Sequence, residues 1–338
     1  MKVLVTGGLG FIGSETVVSL LRHKMDVVII DNLFNAKLEV LDHIEELTGI
    51  RPKFYEFDVC NKEKLAEVFK KEKPEAIIHF AGYKAVAESV YKPLEYYENN
   101  LGTTFALLEC MEKYGCKNLV FSSSSTVYGL PDRVPLYETD PVKSATSPYG
   151  ETKVMIERVL KDVAHVHTDY NIALLRYFNP IGADPSGLLG EDPNGIPNNL
   201  LPYIAKVATG ELPCLKITGH DYKTPDGTGI RDYIHVCDLA EGHVLALKKL
   251  EEKPGLVIYN LGTGRGTSVL DIVSAYESAT GIKIKYEFAP RRPGDIPENY
   301  ANCDKAKQEL GFVCTHSIED ACRDSYNFQK RVKEESKK

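Results

Sequence analysis

Apolar positions along the first half of the chain follow two alternating rhythms. Short unbroken runs such as Val3-Leu4-Val5 and Val27-Val28-Ile29-Ile30 have the length and β-branched content of strands buried on both faces. Between them lie stretches in which apolar residues recur at helical spacing. This pattern predicts strands over 2–6, 27–30, 53–57, 75–79, 118–121 and 172–176. It predicts helices from 11 to about 22, over 62–71, over 94–114 and from 148 onward. Such alternation implies a parallel, doubly wound α/β sheet with right-handed crossovers. Beyond residue 176 the alternation loosens and Gly and Pro become frequent, as expected for an inserted or appended region. Helices are still expected at 235–250, 270–280 and 318–331, with a strand at 257–261 returning to the main sheet.

In open sheets of this kind ligands sit beyond the carboxyl ends of the strands. Each predicted strand ends there in small or polar residues. After the first strand come Gly7, Gly10 and Gly13, a Gly-x-x-Gly-x-x-Gly turn leading into a helix. Backbone N–H groups and the helix N-terminus at such a turn can meet a pyrophosphate. Asp31 ends the second strand, 18 residues past Gly13, close to the spacing expected for an acid that accepts from adenosine ribose hydroxyls. A carboxylate there repels a 2′-phosphate, so NAD is favoured over NADP. The expected architecture is thus Rossmann-type, with a smaller interleaved C-terminal substrate domain. The boundaries read as 1–178 for the NAD-binding part, with a segment at about 235–262 returning to it, and 179–338 mainly for substrate.

Asp58 is placed against the adenine edge, and Phe80, Ala81 and Gly82 allow close approach to a ligand. His79 reads as a satisfied core histidine. Ser122, Ser123, Ser124, Ser125 and Thr126 form a polar run at the active edge. Ser147 can cap the next helix with Pro148 in its first position, placing Tyr149 and Lys153 four residues apart on one face. A phenol with a pKa of about 10 must drop by ~3 units to serve as a base near neutrality, and an adjacent ammonium favours the phenolate. Lys153 is expected to supply that bias. Gly262-Thr263-Gly264-Arg265-Gly266 looks like a second dinucleotide loop, but no acidic strand end follows at the right spacing, so it reads as a tight structural turn. In the second half, Asn198, Asn199, Arg231 and Arg292 are the polar groups suited to a sugar nucleotide, arginine being shaped for bidentate phosphate contacts.

Composition narrows the partners. The 338 residues are 43% apolar and 26% charged, ordinary globular usage, with a formal charge of −7 that argues against a nucleic-acid surface. No charge-free run reaches the ~18 apolar residues of a membrane span, and no leader-like segment is expected before the first strand. The eight cysteines form no Cys-x-x-Cys and read as reduced thiols of a cytoplasmic protein. No metal is expected: His165 and His167 diverge on a predicted helix. The Lys- and Glu-rich tail over 330–338 reads as a fraying helix end.

Together these motifs resemble the extended short-chain dehydrogenase/reductase superfamily. Within it, His79-Phe80-Ala81-Gly82, Leu174-Leu175-Arg176-Tyr177-Phe178-Asn179-Pro180, Gly190-Glu191-Asp192-Pro193, Gly195-Ile196-Pro197-Asn198-Asn199-Leu200 and Gly229-Ile230-Arg231-Asp232-Tyr233-Ile234-His235-Val236 are similar to the UDP-glucose (UDP-galactose) 4-epimerase family. The likeness is collinear from Met1 to about Phe328. It implies an isomerase that interconverts the two UDP-hexoses through a transient 4-keto sugar, with NAD tightly held. It implies a catalytic set of Tyr149, Lys153 and Ser124. Cofactor contacts are then expected from Gly7, Gly10, Phe11, Ile12, Gly13, Asp31, Asn32, Asn35, Asp58, Val59, Phe80, Ala81, Gly82, Lys84, Asn99, Ser124, Tyr149, Lys153 and Phe178. By the same resemblance Asn179, Asn199, Leu200 and Tyr233 contact substrate, Arg231 and Arg292 hold the diphosphate, and Asp295 meets the uridine ribose. Bulk at Asn299 is expected to decide whether an N-acetylated sugar fits, and Asn is smaller than the Tyr of the bacterial hexose-specific pattern. A homodimer through the helices near 94–114 and 148–170 is implied. A 4,6-dehydratase would carry an Asp-Glu pair after the serines, where this chain has Thr126-Val127. A dinucleotide sensor without turnover would lack the Tyr/Lys pair.

Overall fold

The structure is a computed structural model and describes residues 1–193, 195–292 and 295–336. In chain order the first half runs β1 (Lys2–Thr6), α1 (Phe11–Arg22), β2 (Asp26–Asp31), α2 (Val40–Thr48), β3 (Lys53–Glu56), α3 (Lys62–Glu72), β4 (Ala76–His79), α4 (Val86–Tyr91), α5 (Pro93–Tyr114), β5 (Asn118–Ser124), α6 (Pro148–Val166) and β6 (Asn171–Tyr177). The second half runs β7 (Asn179–Ile181), α7 (Leu200–Ala208), β8 (Leu215–Thr218), β9 (Ile230–Arg231), β10 (Tyr233–His235), α8 (Val236–Leu250), β11 (Leu256–Leu261), β12 (Thr267–Ser268), α9 (Val269–Thr280), β13 (Tyr286–Ala289), β14 (Glu298–Asn299), α10 (Asp304–Leu310) and α11 (Ile318–Glu335). Residues 337 and 338 of the Lys-rich tail lie outside the described residues.

The central sheet has the order β11-β6-β5-β4-β1-β2-β3, and each of its neighbouring pairs is parallel. Successive residues of β1 alternate between faces: Val3 and Val5 join a core with α1 and α8, while Leu4 joins the opposite core with α3, α5 and α6. Burial on both faces explains why these strands read as unbroken apolar runs. The strand order reverses direction beside β1, between β2 and β4, so the crevice at their carboxyl ends is the topological switch point. The late strand β11 pairs with β6 from Leu256↔Ile172 to Leu261↔Tyr177, which returns the chain to the main sheet as expected.

Beyond the sheet, α7, α9, α11, β8 and β10 enclose a separate apolar cluster that includes Leu201, Ile204, Leu215, Ile272 and Tyr276. Local chemistry sets these boundaries. Ser268 with Asp271 and Ser317 with Asp320 form reciprocal capping boxes at the starts of α9 and α11. The turn after β11 wraps an acid of this chain: the buried Asp232 carboxylate accepts from Thr263 N, Thr263 Oγ1 and Gly264 N at 2.8, 2.7 and 3.0 Å. The Gly262–Gly266 segment is therefore a structural turn, as its sequence suggested. One boundary differs. β5 runs on through Ser122, Ser123 and Ser124 rather than ending at Phe121, because those serines remain in register with Leu175, Arg176 and Tyr177 of β6.

Candidate active site

The glycine-rich turn is built for close approach. Gly7 has φ of +70°, and a Cβ there would lie 2.9 Å from Ala81 N; a Cβ on Gly13 would lie 2.2 Å from Gly7 O. Backbone of the β1 turn thus packs directly on backbone of the β4 turn, and neither position accepts a side chain. Gly10 caps α1 without a side-chain bond, and the first turn carries no acid, so the N–H groups of Phe11, Ile12 and Gly13 face outward at the positive end of the helix. Asp31 is buried at the end of β2 and accepts from Leu9 N at 3.1 Å and Leu33 N at 2.9 Å. Burial raises its pKa against those backbone bonds. Asn32 donates to Asp58 at 3.0 Å, joining the two strand ends; Asn35 lies in the loop with Asn32, and Val59, next to Asp58 in sequence, is buried. This donor set and glycine cradle fit a dinucleotide: amides for the diphosphate, Asp31 for ribose hydroxyls.

Across the switch point, Phe80 packs on His243 with ring centroids 4.8 Å apart. Asn99 donates to Asn100 at 3.0 Å, and Asn100 in turn binds Tyr83 N, Tyr83 O and Thr152 Oγ1 at 2.7, 3.0 and 3.0 Å. Those bonds anchor the loop containing Gly82 to α6. His79 is buried, bonded to Thr6 Oγ1 at 2.7 Å and held well below its usual pKa, at about 3, by burial and the Lys153 charge. It is a core residue, as read. Phe178 is buried with Val127, Tyr128 and Leu136 under the sheet end.

The serine run is the hub of the site, and each serine answers to a different element. Ser122 accepts from Lys153 Nζ through its carbonyl at 2.6 Å and its hydroxyl at 3.4 Å, and it also lowers the pKa of the nearby Tyr177 hydroxyl against the rise that burial causes. Ser123 donates to Glu157 at 2.7 Å. Ser124 accepts from Thr126 N and lies near enough to the Tyr149 hydroxyl to lower its pKa. Ser125 accepts from Asn299 Nδ2 at 3.2 Å. Ser147 caps α6 by accepting from Gly150 N at 3.2 Å, with Pro148 in the first turn, so Tyr149 and Lys153 do share a face.

Burial acts on both charged forms of this face. Tyr149 is half-buried with its hydroxyl end enclosed; burial pushes its pKa up to about 12, and only the Ser124 hydroxyl opposes that. Burial brings Lys153 down to about 7. The ammonium points at Ser122, and its Nζ lies 5.8 Å from the Tyr149 ring centroid. Desolvation opposes charge on both partners, so the protein's own groups do not poise Tyr149 as a phenolate.

On the opposite wall, residues 231–233 tie two small sheets together. Tyr233 is in register with Asn179 in the β10–β7 pair, and Asn299 with Arg231 in the β14–β9 pair. Arg231 forms an ion pair with Asp295 and donates to Ile230 O at 2.8 Å. Arg292 is exposed and pairs with no carboxylate among the described residues. Asn199, the cap residue before Leu200 in α7, donates to Glu191 at 2.7 Å. The same Glu191 oxygen takes Lys84 Nζ at 2.8 Å, and that ammonium lies 5.9 Å from the Phe11 ring centroid. Glu191 therefore links a residue expected on the cofactor to one expected on the substrate. Sequence reasoning quoted it only inside a motif; its separation from Lys84 by 107 positions gave no local signal. Ser122 was read only as part of the polar run, and Tyr177 only inside a motif.

Comparisons with known proteins agree with this geometry. Residues 3–262 match the model of the NAD dependent epimerase/dehydratase family. The chain is 54% identical to the UDP-glucose 4-epimerase of Bacillus subtilis over 97% of both chains. Its structure superposes with a TM-score of 0.97, at 44% identity and 99% coverage of both chains, on a UDP-glucose 4-epimerase from Stenotrophomonas maltophila solved with bound NAD and formylated UDP-arabinopyranose. It superposes with a TM-score of 0.95, at 50% identity and 98% coverage of both, on the Bifidobacterium longum enzyme in complex with NAD+ and UDP.

Proposed function

The chain belongs to the NAD dependent epimerase/dehydratase family, and from that membership we propose that it interconverts UDP-glucose and UDP-galactose by transient oxidation at the sugar C4. One observation carries the chemistry: Tyr149 lies near enough to Ser124 for that hydroxyl to lower its pKa, at the sheet edge between the glycine-rich turn and the Arg231–Asn299 wall. Bound NAD supplies the acceptor and later the donor of the C4 hydride, together with a cationic ring that favours the phenolate. The amides of Phe11, Ile12 and Gly13 hold the diphosphate beside Gly7 and Gly10, and Asp31 orients the adenosine ribose. Tyr149 Oη then takes the proton of the sugar 4-hydroxyl while Ser124 aligns that hydroxyl. Lys153 holds the ribose beside it. Arg231, Arg292 and Asp295 anchor UDP while the 4-keto sugar turns, with Asn179, Asn199, Leu200 and Tyr233 bounding the pocket. Tyr149 finally returns its proton to the 4-oxygen on the opposite face.

Purified protein given UDP-galactose without added NAD is expected to yield UDP-glucose, read by NMR. A 4-keto-6-deoxy product would place it with the dehydratases, and no conversion with or without NAD would leave only binding. Asn299 sits at the serine hub as a side chain smaller than Tyr, which supports turnover of UDP-N-acetylglucosamine as well. Asn299→Tyr is expected to suppress that activity at least 10-fold, about 1.4 kcal/mol, while sparing the unsubstituted sugars. Equal loss on both sugars would count against Asn299 as the discriminator.

We divide the chain at 178/179, with 235–262 returning to the NAD-binding part; α8 and β11 pack there, and α7, α9 and α11 enclose the second cluster. Leu94 and Phe105 on α5 and Met155 and Val166 on α6 are exposed apolar residues on adjacent helices, which supports a homodimer through that face. Sedimentation at the mass of one chain would overturn it. All eight cysteines are free thiols, and no helix among the described residues is long and apolar enough to cross a membrane; both fit a cytoplasmic setting.

A further inference from the structure

A second cluster of ionisable side chains lies away from the serine hub, where α1, the loop after β7 and the first turn of α8 meet. Glu15 comes from α1, Asp184 from the loop and Cys237 from α8. One ligand atom from each lies within 4.8 Å of the others. The Cys237 thiol donates to Glu15 Oε2 at 3.8 Å, a separation near the edge length of a tetrahedral site with metal–oxygen bonds of about 2.1 Å and metal–sulfur bonds of about 2.3 Å. Glu15 and Asp184 are 2% and 3% exposed, and Cys237 is half-buried, so the cluster is closed except beside the thiol.

Two features set it apart from an ordinary patch of acids. The remaining carboxylate oxygen, Glu15 Oε1, is buried and has no hydrogen-bond partner among the described residues, which is costly for such an atom. The charged groups facing it are also mostly acidic. Asp238 and Asp324 act on Cys237 from beyond the cluster, and Arg22 is the cation felt at Glu15.

We propose that Glu15, Asp184 and Cys237 form a binding site for one divalent ion of the zinc class. A thiolate beside two carboxylates suits Zn²⁺ or Cd²⁺ better than Mg²⁺ or Ca²⁺, which take oxygen ligands alone. Binding releases the Cys237 proton, and any proton on Glu15, to solvent. The ion would tie α1, which carries the glycine-rich turn, to the segment that leads out of the Asn179 strand.

The test is titration of the full-length, chelator-treated protein with Cd²⁺ and Co²⁺, followed by competition with Zn²⁺. One ion per chain, a thiolate-to-metal charge-transfer band and proton release in weak buffer are expected. Cys237→Ser should abolish the band, and Asp184→Asn should weaken binding at least as much as the ~100-fold that even outer-shell losses can reach. Cys214→Ser, a remote thiol, should change neither. Absence of the band in the wild-type protein overturns the proposal, because a proton shared within the cluster then suffices. A band that persists in Cys237→Ser overturns it too. The wild-type titration decides the matter even where a variant folds poorly, and none of these readouts depends on epimerase activity.

Discussion

Replacing Tyr149 by Phe is expected to lower kcat on UDP-galactose about 10³-fold, or ~4 kcal/mol of barrier, while NAD stays bound. The change removes one oxygen and keeps the ring. The buried environment that pushes this phenol to about 12 does not oppose Phe, so folding should survive. The measurement is the initial rate of UDP-glucose formation, beside the NAD content of the same preparation by absorbance after acid release. Rate loss with cofactor retained assigns the proton transfer to Tyr149. Near-normal turnover would remove it from that role. Ser124→Ala should be milder, because Ser124 orients the proton and does not carry it.

Parts of this site were legible from residue order because their chemistry is local. Gly7, Gly13 and Asp31 belong to one strand–turn–helix–strand unit, and the steric need at Gly13 arises from a carbonyl six residues earlier. Tyr149 and Lys153 share a face because Ser147 and Pro148 start their helix just before them. Other parts depend on contacts between distant segments. Nothing near Glu191 announces Lys84, and nothing near Arg231 announces its pairing with Asp295. The burial of Tyr149 and Lys153 was not legible for a related reason. Spacing shows that two groups are close, whereas desolvation depends on the depth at which the whole fold sets them.

Depth also governs the second large effect. Arg176 on β6 and Glu157 on α6 are both 1% exposed in their side chains and paired through two bonds, Nε to Oε1 at 2.8 Å and Nη2 to Oε2 at 2.6 Å. Glu157 also accepts from Ser123, so the pair fixes the catalytic helix against β5 and β6 just behind the serine hub. Glu157→Leu strands a guanidinium that cannot shed its proton and leaves it the Glu138 carbonyl at 3.3 Å and the Tyr128 ring, whose centroid is 4.9 Å away. The expected cost is ~3–5 kcal/mol in urea unfolding at neutral pH, with much of it recovered in the double variant Glu157→Leu/Arg176→Met. Acid should narrow the gap between wild type and Glu157→Leu. The Arg176 charge and bonds hold Glu157 below its usual pKa despite burial, so its contribution is complete above the unfolded value of about 4.3 and fades as pH falls through the folded one. A gap that stays constant into acid would show that the loss comes from packing and not from the ion pair. If the double variant is also stable but turns over slowly, the pair is needed for holding Tyr149 in place more than for folding, which places its selective value in the register of α6 against the sheet.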